Sequence, residues 1–447
     1  MHPIKSVIEQ YLSHYAEKSL PSAPTDRRWR FVLVIPLYNE SDDWINALNT
    51  FSDLLVIAVV NHPTGASPHH NQAQVRRLSD RYGGIRISPQ HELLPLDTAA
   101  NRDILIIDCS RKEEGLPPEH GVGLARKIGA DTALLWCHEG AITGPWIAMT
   151  DADAQLPTEF FTHLDRYSAS AAAAVHSFRH GQAETQEQQL AMTLYELRLH
   201  QYVAGLIRAN SPHAVHAVGS CISVTTTAYA QVRGIPKRPA GEDFYLLNKL
   251  LKVGPVRTIQ ASAPIQLEPR LSQRTPFGTG RALRDLLVES DPYTVPLFYA
   301  PSAFEELALL LSNLAMGARS EEALFFGLSK DTKRGLKQLG LEKALAHCER
   351  QSNSVAQFQK QFHTWFDGFR TLKFIHTTGG EKPHKISFYD LVRELNEPRK
   401  SPLDLMEHYR RLCYSTLIGD WEDWSTRSTD TLGASPPDCD LGGHHQK

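Results

Sequence analysis

The chain has 447 residues, of which 41% are hydrophobic, 9% aromatic and 22% charged, the composition of an ordinary folded protein with one large domain and an appendage, or two to three average domains. Lys and Arg number 47 against 50 Asp and Glu, so a net charge of -3 excludes the basic field that gathers nucleic acid or an anionic membrane. No apolar stretch approaches the roughly 20 residues that span a bilayer, and six scattered cysteines with no CxxC pair argue against a zinc site and a disulfide framework, so a reducing cytoplasm is the expected compartment.

The opening stretch MHPIKSVIEQYLSHY lacks the apolar core and cleavage site of a secretory signal. Its Ile4, Val7, Ile8, Tyr11, Leu12 and Tyr15 follow helical spacing, which predicts an amphipathic helix, and the linker SLPSAPTDRR closes an N-terminal segment of residues 1–28. Four short runs then follow, FVLVIPL (31–37), LLVIAVV (54–60), DILIIDC (103–109) and PWIAMTD (145–151), apolar almost throughout. Runs of that kind belong to strands covered on both faces. Between them HHNQAQVRRLSDRYG and GLARKIGADTALLWC read as helices. Strand and helix in alternation predict an α/β domain over residues 29–285 with a mostly parallel sheet flanked by helices.

Ligands of such sheets bind at the carboxyl ends of the strands. There stand Asn39 and Glu40, Asn61, Asp108, and Asp151 with Asp153. Residues 286–424 are predicted to be mainly helical: Phe304, Leu307, Leu311 and Leu314 share one helical face, and Val355, Phe358, Phe362, Trp365 and Phe369 another. The region carries no chemical motif and is open to shaping an acceptor site, covering the sheet or forming a homo-oligomer. Residues 425–447 are polar and turn-rich, the composition of a disordered tail.

The triplet in TDADAQLP (150–157) places two carboxylates at i and i+2, which in extended backbone point the same way. Hard divalent ions such as Mg²⁺ or Mn²⁺ take such oxygens and let substrate phosphates fill the other positions. The bland alternative is an Asp-rich turn capping a helix over 157–166. In GEDFYLLNKLL, Glu242 and Asp243 open an apolar-periodic helix, where acids also complement the helix dipole. Downstream, Arg270 and Arg274 lie four apart just before TPFGTG, whose glycines allow close approach to a phosphate; an ordinary loop with solvated arginines is the alternative. His213 and His216 in PHAVHAVGSC offer imidazoles to a metal.

IPLYNE (35–40), GVGLARKIGAD (121–131), TDADAQLP and AGEDFYLLNKL (240–250) occur in the order and approximate spacing that resembles family-2 glycosyltransferases of the GT-A fold, over roughly residues 30–285. The resemblance implies an enzyme that moves a sugar from a nucleotide-diphosphate donor to a hydroxyl acceptor with Mn²⁺ or Mg²⁺, probing the donor with Pro36, Tyr38, Asn39 and Glu40. It implies that Arg126 reaches the donor; the family's following Asn is here Lys127. Asp151 would meet the ribose, or the metal through water, Asp153 would be the main metal ligand, Asp243 the general base of an inverting displacement, and Arg270 and Arg274 part of a lid over the diphosphate. A retaining relative making a small glycoside, with His216 on the metal, and a nucleotidyltransferase are the rival enzymes. A nucleotidyltransferase calls for a Gly-rich first loop where this chain has LYNESDD. Without a membrane span, a processive synthase that extrudes its product is disfavoured, and peripheral membrane docking stays open.

Overall fold

The computed structural model describes residues 3–111, 115–167, 170–260, 263–271, 279–378 and 385–414. Arg274, most of TPFGTG and the polar tail lie outside the described residues. A nine-stranded sheet runs β11-β8-β10-β6-β1-β2-β5-β4-β3, built from β1 (Phe31–Leu37), β2 (Leu54–Val60), β3 (Ile85–Ser88), β4 (His91–Asp97), β5 (Arg102–Asp108), β6 (Trp146–Met149), β8 (Ala173–His176), β10 (Ile222–Thr225) and β11 (Val256–Ile259). Pairings β1-β2, β2-β5, β1-β6 and β8-β11 are parallel; β10 is antiparallel to both neighbours and so is β4. Seven strands therefore share one direction and two reverse it, a mostly parallel sheet. A three-stranded sheet of β7 (Ala154–Gln155), β12 (Ile265–Leu267) and β9 (Phe178–His180) lies alongside.

The apolar runs are strands because both faces of the sheet are covered. Val32, Val34, Leu55, Ile57 and Val59 face α1 (Pro3–His14), α3 (Gly121–His138), α6 (Thr226–Gln231) and α7 (Glu242–Leu250). Leu33, Ile35, Leu54, Val56 and Ala58 face the other way, toward α2 (His69–Tyr82) and α4 (Phe160–Asp165). Every residue of β2 is fully buried, at about 1.5–3 kcal/mol for each large side chain. Gly129 lets α3 settle on this sheet, since a Cβ there would stand 2.4 Å from Val34 Cγ1.

The remaining helices are α5 (Gln186–Arg208), α8 (Thr279–Leu287), α9 (Pro301–Ala315), α10 (Glu321–Leu324), α11 (Lys330–Gln338), α12 (Leu341–Arg350), α13 (Val355–Trp365), α14 (Gly368–Thr377), α15 (Phe388–Glu394) and α16 (Pro402–Tyr414), with a short pair β13 (Phe298–Tyr299) and β14 (Lys385–Ile386). Helix α5 joins the two regions: α8, α9 and α16 pack along it, and Thr185 caps it by accepting from Gln188 N. The helical face expected to run to Phe369 is cut short. Helix α13 ends at Trp365, and the Asp367 carboxylate accepts from Arg370 N at 3.1 Å to start α14, leaving Phe369 and Val355 exposed. Asp367 also takes Lys252 Nζ at 2.8 Å and Asn248 Nδ2 at 3.2 Å, tying the helical region to the α7 segment. No helix among the described residues is long and apolar enough to cross a membrane.

Arg126 and Lys127 are both buried, not the solvated helix face that their charge suggests. Lys127 points away from Arg126 toward α1: its Nζ donates to Asp131 at 2.7 Å, to the Tyr11 hydroxyl at 2.7 Å and to the Tyr15 carbonyl at 3.0 Å. Asp131 also accepts from the hydroxyls of Tyr11 and Tyr229, each at 2.6 Å. This network gives the buried Lys127 its role: it docks the N-terminal helix. Asp131→Ala leaves the ammonium buried without its anion and is expected to cost about 3–5 kcal/mol in denaturant titration. Adding Lys127→Met should recover much of that loss, and a double variant as unstable as the single one would refute the pairing.

Candidate functional site

A cleft of about 970 Å³ opens at the carboxyl ends of β1, β2 and β6 and is lined by Pro36, Tyr38, Glu40, Asn61, Asp151 and Asp153 on the sheet side. The small sheet delivers further residues. Strand β7 follows directly on Asp153, and β12 pairs with it antiparallel, which brings Arg270 alongside. Strand β9 ends at His180 on the cleft wall. Helix α5 contributes Tyr195 and Arg198, and the start of α7 contributes Glu242 and Asp243.

Two arginines organise the acids. Arg126 is bonded by one guanidinium nitrogen to Asp151 and by another to the buried Glu242. Burial pulls its pKa down, but Asp151, Glu242 and Asp243 more than reverse this and hold it above the ordinary value. Arg270 makes a forked contact with Glu40 at 2.8 and 2.9 Å and reaches Asp153 at 2.8 Å. It faces carboxylates here, so a grip on a diphosphate requires it to exchange partners. Asp151 and Asp153 line the open cleft with side chains 38% and 23% exposed, so the aspartates are neither buried nor turned aside. Residues 152–153 form a turn, closed by Ala154 N on the Asp151 carbonyl at 3.2 Å, so the extended geometry expected of the triplet is replaced by a bend. The triplet does not cap the next helix, which starts at Phe160.

Glycines set the approach of the pieces. Gly241, at φ +74°, turns the chain into α7 in the left-handed region. At Gly219 a Cβ would stand 2.7–2.9 Å from the Arg126 guanidinium atoms, so only a bare backbone leaves that arginine its place. Gly123 N donates to the Arg238 carbonyl at 3.1 Å, and a Cβ there would meet the same loop at 2.7 Å, which fixes the loop leading to Glu242 against α3.

Asp243 is the titratable group of most chemical interest. Desolvation and the neighbouring Glu242 carboxylate push its pKa up to about 7, against the pull of the Phe244 N–H at 2.7 Å and of Arg126. A carboxyl poised there can take a proton near neutrality.

Four expectations are corrected. Asn39 sits at φ +54° with its N–H on Asn71 Oδ1 at 2.8 Å, exposed and off the cleft lining. Asp108 is buried and folds back on its own loop, accepting from Ser110 Oγ at 2.5 Å and Arg111 Nε at 2.7 Å. His213 Nε2 donates to the Phe366 carbonyl at 3.1 Å. His216 does not join the aspartates: its Nε2 lies 3.0 Å from His200 Nδ1 in a buried cluster behind the cleft. Conversely, sequence reasoning missed His180, Tyr195 and Arg198. The available signal was the spacing of Tyr195, Arg198 and Leu199 on one face of a 23-residue helix, all lining the cleft.

No family model and no curated protein matches the chain. Among solved structures it is similar to S. aureus TarS 1–349 in complex with UDP-GlcNAc, at 12% identity over 86% of this chain and 90% of that one, with a TM-score of 0.36. It is also similar to the mannosyltransferase PcManGT from Pyrobaculum calidifontis in complex with GDP-Man and Mn²⁺, at 13% identity over 92% and 97% of the two chains, with a TM-score of 0.34. Overlaps this loose decide nothing about the chemistry of this chain, which its own residues must carry.

Gly219→Ala drives a methyl group into the Arg126 guanidinium and displaces it from Asp151 and Glu242. Binding of the ligand that fills the cleft is expected to weaken ~10–100-fold by calorimetry, the scale of a misplacement near 1 Å, with the fold retained by circular dichroism. Undiminished binding would show that the Arg126 position is immaterial.

Proposed function

We propose that this chain is a metal-dependent glycosyltransferase that moves a sugar from a nucleotide-diphosphate donor to a hydroxyl acceptor with inversion. The observation that carries the reading is the convergence of Asp151, Asp153 and Asp243 on one cleft at the carboxyl edge of a mostly parallel sheet, with Arg126 and Arg270 between them. Nucleotide–sugar complexes of UDP-GlcNAc and GDP-Man, the latter with Mn²⁺, are the ligands of the two similar structures.

The acids suit a hard cation. Asp151 and Asp153 present oxygen ligands on an open wall, and Arg270 already balances negative charge at Asp153, the place where a cation would do so. Asp153 would hold Mn²⁺ or Mg²⁺ with Asp151 beside it, and the ion, when bound, neutralises charge building on the diphosphate leaving group. Arg126 keeps Asp151 and Glu242 in place through forked contact. Pro36 and Tyr38 form the wall for the nucleoside, and Arg270, released from Glu40 and Asp153, turns to the diphosphate. Asp243 accepts the proton of the acceptor hydroxyl as that oxygen attacks the anomeric carbon, a single displacement that inverts the centre. The retaining rival depended on His216 reaching the metal, and the position of His216 against His200 removes that support.

Asp153→Ala is expected to abolish the Mn²⁺-dependent part of UDP- or GDP-sugar binding in a thermal-shift titration. Asp243→Asn should leave donor binding within a few fold and lower transfer by ~10²–10⁴, the usual contribution of a general base. Equal loss of binding in both variants would contradict this division of roles.

The pH dependence follows from Asp243. Its base form accumulates above about pH 7, so kcat/KM should rise through that value in the wild type and lose the limb in Asp243→Asn. For stability the sign is opposite. The folded chain keeps a proton that the unfolded chain releases near pH 4, so between roughly pH 4 and 7 this group lowers stability as pH rises. A pH profile identical in wild type and Asp243→Asn would assign the base elsewhere.

A further inference from the structure

Behind the cleft, α5, the 213–218 segment and α16 meet at three metal-ligating side chains that the transfer chemistry does not use. His200, His216 and Cys413 each place one ligand atom within 4.8 Å of the others, and His200 Nδ1 lies 3.0 Å from His216 Nε2. All three residues are nearly water-excluded, at 0%, 4% and 2% exposure. We propose that this trio is a structural zinc site that fastens the last described helix to the catalytic domain.

The donor set is right for zinc, which takes imidazole nitrogen and thiolate sulfur at roughly 2.0–2.3 Å. The surroundings also match. His200 Nε2 lies 3.3 Å from Glu196 Oε1, so that nitrogen carries the proton and the Nδ1 lone pair faces His216. A carboxylate behind a ligating imidazole is the usual means of orienting it. Glu196 is itself fixed by Arg410 of α16 and by His180 Nδ1 at 2.8 Å, so the orienting group is rigid. Cys413 Sγ stands 3.3 Å from the His200 carbonyl, beside the ring it would join. Binding requires the Cys413 thiol to lose its proton, the His216 proton to move from Nε2 to Nδ1, and the two rings, now 3.0 Å apart at their nitrogens, to part by a few tenths of an ångström. An adjoining cavity of about 120 Å³, lined by His216, is large enough to hold a water. Cysteine spacing gave no hint of this site, because it draws one cysteine and two histidines from three separate segments.

The site would act on the cleft indirectly. Ala217 and Val218, next to His216, line the cleft, and His180 joins Glu196 to its wall. The test uses the full chain expressed with zinc in the medium, in an Asp153→Ala background that removes the proposed catalytic cation site. Cys439, His444 and His445 are also replaced by Ser, Ala and Ala, so that the terminal residues cannot bind the ion. Elemental analysis after gel filtration should give about one zinc per chain, falling at least ~10-fold in Cys413→Ser and in His216→Gln. Cobalt in place of zinc should give a thiolate-to-cobalt charge-transfer band that Cys413→Ser lacks, a signature that a folding defect alone cannot mimic. Should His216→Gln and Cys413→Ser not fold, the cobalt spectrum of the parent chain still decides. A folded parent chain that retains no zinc, or a cobalt spectrum without thiolate charge transfer, overturns the proposal.

Discussion

The site depends on mutual neutralisation between carboxylates and guanidinium groups. Five of the acids that border the cleft, Glu40, Asp151, Asp153, Glu242 and Asp243, would repel one another and resist burial if left alone. Arg126 joins Asp151 to Glu242, and Arg270 joins Glu40 to Asp153. Asp243 has no arginine of its own among these contacts, and its pKa rises accordingly. One lattice thus pairs four of these acids with guanidinium groups while leaving the fifth able to carry a proton near neutrality.

The fold supplies the placement. Parallel strands β1, β2 and β6 end on the same edge, so the residues after them share one cleft without any loop having to travel. The small sheet then gathers Asp153, which directly precedes β7, Arg270, which follows β12, and His180, which ends β9. Gly219 and Gly123 allow the loop before α7 and the Arg126 side chain to come closer than any Cβ would permit, and Gly241 supplies the left-handed turn into α7. Asp367 ties the α7 segment to the helical region, and α5 packs against both halves, so the acid-bearing helix is braced from behind. The same α5 carries His200, through which the proposed zinc would brace the cleft wall from a second side.

How legible this was varies by element. Strands β1 and β2 could be read to the residue because continuous apolar runs mean two covered faces, whatever the neighbours. The β3 and β4 hairpin could not, since HELLPLD carries three charged or titratable residues and a proline within an edge pairing. Among site residues, Asp151, Asp153, Asp243, Arg126 and Arg270 are drawn to one cleft, because short motifs at strand ends and helix starts fix their location. Their partners were hidden: nothing local says that Arg126 pairs with Glu242, 116 positions away, or Arg270 with Glu40, 230 away. His216 failed for the same reason, turning inward to His200, whereas the Asp108 carboxylate is taken up by Ser110 and Arg111 of its own loop. A side chain near a strand end can turn inward to a long-range partner, and only packing decides which.

The most direct measurement is a crystal of the chain grown with Mn²⁺ and a nucleoside diphosphate, with anomalous data collected at the manganese edge. The account expects a manganese peak within roughly 2.0–2.3 Å of an Asp153 oxygen, with Arg270 released from Glu40 and turned onto the diphosphate. A nucleotide seated in the cleft with no manganese at Asp153, and Arg270 still forked on Glu40, would contradict it.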